Sequence, residues 1–318
     1  MRHPLMRALP AVLALSAQAI CAQPYPSKPI RVVTAESGGA SDLLARLIAN
    51  GISGPLGQPV VIDNRMGGIL LAEVIAKAPP DGYNLLIYSG TIWVGPLLRE
   101  KMPYDPIQDF SPVTLVSRAP SIVVIHPSVG AKTIKDLIAI AKAKPGVLNY
   151  GSTSTGGASH LATELFKAMA SVDILRIPYK SSTIETTDLL SGQTHLSFGT
   201  VNGMMPHVKL GKLKALAVTS AQPSPLAPGL PTVAATGVPG YEAVVLAAMM
   251  APAKMPDAIL NRLSQETVRF LKSAEARDRL FASGVDAVGS TPDELTATIK
   301  AEVARWGKVI KDAGIRAN

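Results

Sequence analysis

Ile30-Arg31-Val32-Val33-Thr34-Ala35, then Glu36-Ser37-Gly38-Gly39-Ala40-Ser41-Asp42, then Leu43, Leu44, Leu47, Ile48 and Ile52 at helical spacing, form the stretch that decides the fold. A short β-branched run predicts a buried strand, and apolar residues three and four apart predict a helix. The unit is strand, glycine turn, helix. It continues with Val60 to Asp63 as a second strand and Leu70 to Ala78 as a second helix, closed by Pro79-Pro80-Asp81-Gly82. Leu85 to Tyr88 is a third strand ending at Ser89-Gly90-Thr91. Strands alternating with helices at this spacing predict parallel βαβ units in an α/β fold, with ligands at the carboxyl ends of the strands.

The pattern returns in the middle third. Ser121 to His126 is apolar and β-branched, and Thr133 to Lys142 reads as a helix with Thr133 as N-cap and Asp136 in its first turn. Leu148-Asn149-Tyr150 leads into Gly151-Ser152-Thr153-Ser154-Thr155-Gly156-Gly157, and Leu161, Leu165, Phe166 and Met169 follow at helical spacing. Between Ala221 and Gly240 stand Pro223, Pro225, Pro228, Pro231 and Pro239, a loop-rich stretch suited to a crossover between domains. Pro256 to Ala317 reads as mostly helical, with Pro292-Asp293-Glu294 opening the last helix.

A chain of 318 residues, 47% hydrophobic and 17% charged, buries a substantial core as one large or two moderate domains. Its start is tripartite: Arg2 and Arg7, an apolar run from Ala8 to Ile20, then Cys21 and Ala22. That layout predicts a secretory signal peptide over residues 1–22, cut after Ala22 or at the competing Ala19. A lipoprotein reading fails on Ile20 and Gln18. Without residues 1–22 the chain has 29 Lys and Arg against 23 Asp and Glu, a net charge of +6. These basic residues are scattered and only 4% of residues are aromatic, so the basic stripe with stacking platforms that nucleic acid requires is missing. Cys21, the only cysteine, leaves with the signal peptide, which removes disulfides, thiolate nucleophiles and cysteine metal ligands.

A glycine turn between strand and helix leaves backbone N–H groups at the positive end of a helix dipole, a site suited to a carboxylate or phosphate. Two such turns occur, one at Ser37, Gly38, Gly39 and Ser41, the other from Ser152 through Ser159. Either alone is equally an ordinary helix cap; one in each domain points to a ligand. Signals for catalysis are poor: Gly39-Ala40-Ser41-Asp42-Leu43 and Gly157-Ala158-Ser159-His160-Leu161 both lack the last glycine of a nucleophile elbow. His126, His160, His195 and His207 have no metal-ligand spacing, and neither metal nor cofactor is expected. His160 opens its helix beside the second turn, either facing the ligand or capping. Glu36 pairs with a cationic ligand group or sits in solvent. Lys180 offers an anion a counter-charge or is a solvated strand-end lysine.

Further motifs run through the chain: Pro26-Ser27-Lys28-Pro29-Ile30-Arg31, Leu56-Gly57-Gln58-Pro59-Val60-Val61, Asp63-Asn64-Arg65, Asp81-Gly82-Tyr83, Pro103-Tyr104-Asp105, Ile177-Pro178-Tyr179-Lys180, Leu216-Ala217-Val218-Thr219-Ser220 and Trp306-Gly307-Lys308. With the two turns, they resemble the Bug-type receptors of tripartite tricarboxylate transporters over nearly the whole exported chain. The resemblance implies a type II periplasmic-binding fold, two α/β lobes with a ligand cleft between them. Lobe 1 is expected at 23–122 and 236–318 and lobe 2 at 123–235. It also implies a monomeric periplasmic receptor that takes a small organic acid and hands it to membrane transporter subunits. Carried over by position, the ligand contacts are Ser37, Gly38, Gly39, Ala40, Ser41, Asp42, Ser89, Gly90, Thr91, Ser152, Thr153, Ser154, Thr155, Ser159, Tyr179, Lys180 and Gly199.

Three departures from the family pattern bear on the ligand. Thr34-Ala35-Glu36-Ser37 replaces the usual Pro-Phe-x-x before the glycines, the loop after Asn64-Arg65 is shortened to Met66-Gly67-Gly68, and Gly199 stands where many relatives carry Asp. An acid thus leaves one lobe and another enters the facing one. Two rival functions use the same elements: a sensing subunit for a membrane signalling protein, and a hydrolase with Ser41 or Ser159 as nucleophile beside His160.

Overall fold

The computed structural model describes residues 25–35, 37–65, 68–153 and 155–316. The signal-peptide expectation for 1–22, Glu36 and Ser154 lie outside the described residues. The chain opens with β1 (Ile30–Thr34), α1 (Ala40–Leu56), β2 (Val60–Asn64), α2 (Gly68–Ala76), β3 (Asn84–Ser89) and the short α3 (Thr91–Val94). β1 pairs in parallel with both β2 and β3, as the alternation predicts. Val32 and Val33 are buried on opposite faces of β1, which is why the run shows no polar alternation.

After α3 comes β4 (Phe110–Ile125), sixteen residues long, of which the sequence pattern predicted only the last third. Then follow α4 (Ile134–Ala143), β5 (Asn149–Ser152), α5 (Ala158–Ala170), β6 (Leu175–Pro178), α6 (Ser182–Ser191), β7 (Leu196–Thr200), α7 (Val201–Lys209) and β8 (Lys214–Val218). β5 pairs in parallel with β6 and β7, so the second lobe repeats the plan of the first. The expected Thr133 cap is a full capping box: Asp136 N–H donates to Thr133 Oγ1 at 3.1 Å and Thr133 N–H to Asp136 Oδ2 at 2.9 Å. The proline-rich return holds α8 (Val233–Thr236) and leads to β9 (Val244–Pro252), α9 (Asp257–Leu271), α10 (Ala274–Ala282), β10 (Asp286–Ala287) and α11 (Pro292–Asp312).

The sheet is mixed and follows one path, β2-β1-β3-β9-β4-β7-β5-β6, rather than forming two separate parallel sheets. β4 is the reason. Its first part, Phe110 to Pro120, lies antiparallel to β9, and its last part, Ser121 to Ile125, lies antiparallel to β7. A single strand therefore belongs to both lobes. The chain's return is tied beside it: Thr219 N–H donates to Ser121 O at 2.9 Å and Ala243 N–H to Thr219 O at 2.9 Å. α11 packs on β4, α3 and α5, and Tyr241 Oη donates to Ala162 O at 2.8 Å, so one apolar core runs from Trp93 and Leu98 through Trp306 to Phe166 and Phe198. Each fully buried aliphatic side chain in it contributes about 1.5–3 kcal/mol relative to exposure.

Candidate ligand-binding site

Parallel pairing places the turns after β1 and β3 at one edge of the first lobe's sheet, and those after β5, β6 and β7 at one edge of the second. In the first turn, α1 begins at Ala40 with Gly39 as N-cap and no side-chain cap. Ser37 is exposed and Ser41 half-buried. Asp42 turns inward, 4% exposed, and accepts from Gly38 N–H at 2.9 Å, Arg46 Nε at 3.0 Å and Asn64 Nδ2 at 2.8 Å. Burial alone would raise this carboxyl; the hydrogen bonds from Arg46, Asn64 and Gly38 outweigh it and hold the pKa down at about 2. The Asp42 carboxylate thus has protein donors on both oxygens and braces the turn from behind.

The second turn is braced by a cation. Arg176, on β6, donates from Nε to Ser152 Oγ at 2.7 Å and from Nη1 to Thr155 Oγ1 at 3.1 Å. Ser152 is fully buried, whereas Thr153 and Thr155 are exposed. α5 begins behind Gly157 with no side-chain cap and no acid in its first turn. His160 is 5% exposed and its Nδ1 accepts from Gly156 N–H at 2.9 Å, the capping alternative of the two that its position left open. Burial, and then the Arg176 charge, pushes its pKa down to about 4. A hydrogen bond from a backbone N–H requires the neutral ring with its proton on Nε2.

Tyr179 N–H donates to Ser152 O at 3.0 Å, which ties the segment after β6 to the second turn. Tyr179 Oη donates to Asp188 Oδ2 at 2.8 Å, and burial followed by that bond moves its pKa up to about 12. Lys180 is exposed. Gly199 lies within β7 opposite Ile122, beneath Met204, where a Cβ would fall 2.5 Å from Met204 Cγ. Its missing side chain accommodates that methionine.

The lobes meet around a cavity of about 60 Å³. Ser89, Gly90 and Thr91 line it from the first lobe, Gly156 and Ala158 from the second, together with Trp93 and Trp306. Ser89 Oγ and Thr91 Oγ1, of two residues in that lining, are 2.8 Å apart. The lobes touch there: Gly156 has φ of +76°, and a Cβ on it would fall 2.0 Å from Leu98 Cδ1. The predicted turns from β3 and β5 therefore share one cavity, while the first turn and Tyr179-Lys180 stand outside its lining.

Three residues of this region escape a reading by turns: Arg176, Trp93 and Trp306. Arg176 had one usable signal, a lone basic residue in the apolar run Ile174-Leu175-Arg176-Ile177 just before the Pro178 turn. The tryptophans are brought together only by the packing of α11 on α3.

Residues 44–315 match the family model described as the tripartite tricarboxylate transporter family receptor. The chain is 33% identical to the protein BugT of Bordetella pertussis, covering 93% of this chain and 93% of that one. It is 38% identical to a Rhodopseudomonas palustris protein solved with adipate, with a TM-score of 0.78 over 92% of this chain and 99% of that one. MatC of the same organism, solved with bound malate, is 27% identical with a TM-score of 0.74 over 90% of this chain and 100% of that one.

Proposed function

The chain belongs to the tripartite tricarboxylate transporter receptor family, and from that premise we propose that it is a periplasmic receptor that closes its two lobes around a small organic acid and delivers it to a membrane transporter of that type. The observation that carries this reading is the second turn. The Arg176 guanidinium engages Ser152 and Thr155 a few residues before the start of α5, which has no side-chain cap and no acid in its first turn, and together they favour negative charge there. A carboxylate is the natural complement. Two relatives carry adipate and malate, both dicarboxylates.

In this reading Thr153, Ser154, Thr155 and Ser159 hold the carboxylate with the free N–H groups of α5. Ser89, Gly90 and Thr91 close over it from the first lobe. Ser37 to Ser41 supply the facing rim, with Asp42 bracing it, and Tyr179 and Gly199 shape the wall. Lys180 adds long-range attraction only. Lobe 1 comprises 23–122 and 236–318 and lobe 2 comprises 123–235. The bend on closure falls where β4 changes partners. Residues 1–22 direct export. The receptor works as a monomer without nucleic acid, metal or cofactor. The hydrolase alternative loses its base: His160 Nδ1 is taken by Gly156 N–H, and the low pKa opposes proton uptake near neutral pH.

The experiment is a thermal-shift screen of the protein against mono-, di- and tricarboxylates, aromatic acids and amino acids, since a ligand selective for the folded state raises its melting temperature. Simple acids should shift it, and Arg176→Met should weaken their binding about 10-fold or more, as expected for loss of a charge-assisted contact. A shift with zwitterions alone would transfer the main role to Glu36. An unshifted curve across the whole panel would sink the receptor reading.

A further inference from the structure

Trp93 and Trp306 are the only two tryptophans in the chain, and both line the cavity between the lobes. They sit on different elements, α3 and α11, and are 1% and 5% exposed. Their N–H groups have different fates. Trp306 Nε1 donates to Glu302 Oε2 at 2.8 Å, while Arg305 Nη2 donates to Glu302 Oε1 at 2.6 Å, so that carboxylate is engaged on both oxygens. Trp93 Nε1 is fully buried and has no acceptor among the described residues. Buried indole N–H groups nearly always find a partner. The unpartnered donor belongs to a residue that lines the cavity.

The placement of that donor depends on a neighbour. The indole edge lies against Gly90, where a Cβ would fall 2.8 Å from Trp93 Cζ2 and 3.2 Å from Nε1, and Gly90 itself lines the cavity. The remaining lining is mostly apolar, with Val94, Leu161, Val245 and Leu246 among it, and its polar members are Ser121 and the Glu302 carboxylate already engaged by Trp306 and Arg305. A hydroxyl set against the apolar side chains, away from Ser121 and Glu302, would be stripped of water without a replacement acceptor, whereas methylene or ring carbons gain by burial.

We propose that this cavity is the apolar end of the ligand site and takes the carbon body of an acid, a methylene chain or an aromatic ring, whose far end carries one neutral acceptor for Trp93 Nε1–H. The inference rests on the receptor reading and narrows it. The carboxylate stays at the second turn, a hydroxylated carbon body is disfavoured, and a second charged group at the far end meets the occupied Glu302 carboxylate.

Two pairs of acids test this by calorimetry. 5-Oxohexanoate against hexanoate probes a chain, 4-methoxybenzoate against 4-ethylbenzoate probes a ring, and malate serves as the hydroxylated reference. In at least one pair the acid with the acceptor should bind about 3- to 10-fold tighter, the range for one hydrogen bond. That preference should vanish in Trp93→Phe, and malate should bind more weakly than either member. In Trp306→Phe, where Trp93 is the only fluorophore of its kind, the preferred acid should change the indole emission. Should Trp93→Phe fail to fold, the ratio within each pair and the emission decide. Malate binding as tightly as the favoured acid, a preference that survives Trp93→Phe, or silent emission on binding would overturn the apolar subsite while leaving the receptor reading intact. Failure of every acid, malate included, would remove both.

Discussion

The turn after β1 and the turn after β5 each open a helix on a glycine N-cap without a side-chain cap, yet the charges that brace them are opposite in sign. In the first lobe the brace is the Asp42 carboxylate, which takes Gly38 N–H for itself and sets a negative charge in the first turn of α1. The α1 dipole is thereby answered from within the protein. In the second lobe the brace is the Arg176 guanidinium, which engages two hydroxyls and leaves α5 with its positive end unanswered. Two turns of the same construction thus divide the labour. In the proposed receptor, an anion would gain its electrostatic stabilisation from the second lobe, with the first lobe supplying a rim and shape.

The largest expected effect breaks the first brace. Asp42→Ala takes from Gly38 N–H its side-chain acceptor, from Asn64 Nδ2 one of two acceptors, Ala35 O remaining, and from Arg46 its carboxylate, Asn64 Oδ1 remaining, and should cost roughly 2–4 kcal/mol. Chemical denaturation of the variant measures it; a loss below about 0.5 kcal/mol would mean that the turn stands without its carboxylate.

Next in size is the contact where the second turn meets the first lobe. Gly156→Ala combines a left-handed backbone with a Cβ 2.0 Å from Leu98 Cδ1, and should cost roughly 1–3 kcal/mol. Adding Leu98→Ala should return the steric part and leave the backbone part. Strict additivity in that double-mutant cycle would show that the lobes do not press on each other there.

The last test separates the two turns by pH. His160 has a folded pKa of about 4, below its unfolded value of about 6.5. The unfolded chain binds the extra proton, so stability falls as pH drops from about 6.5 toward 4. His195 is lowered too, by burial, and shifts in the same direction. Comparison with His160→Gln isolates the second turn. Asp42, held at about 2, contributes stability that persists above its unfolded value of about 3.9 and fades only as pH falls below it. The second turn should therefore loosen at milder acidity than the first. Identical pH profiles for wild type and His160→Gln would contradict the buried neutral ring.

The parallel units and both glycine turns were legible because each depends on residues close in sequence: a β-branched run, a glycine pair, a helical stripe. The first part of β4 and all of β9 were not. Phe110 to Pro120 is sandwiched in the sheet and buries Thr114 and Ser117, and Pro112 sits at a register shift, so no polar alternation marks it as a strand. β9 is rich in Ala and Met, which favour helix, and becomes a strand because β3 and β4 flank it. At the site, Lys180 drew notice beside a turn motif, while the cation that touches the turn is Arg176, four positions earlier on the strand. Trp93 gave no local sign at all. Its importance arises from an absent acceptor, which only three-dimensional packing can reveal.

A strand held in common has a mechanical consequence. Because β4 passes from one lobe into the other without a break, and because its ladder with β9 already slips between Pro112 and Thr114 and between Leu115 and Ser117, the two halves are joined by a leaf spring rather than a swivel. Bending a spring stores energy with the square of the distance between the unliganded and closed shapes, and in the proposed closure that energy is deducted from every binding event. In the proposed receptor, residues along β4 that never meet a ligand would then scale the affinity for all of them by the same factor, leaving the order of preference among acids to the cavity walls.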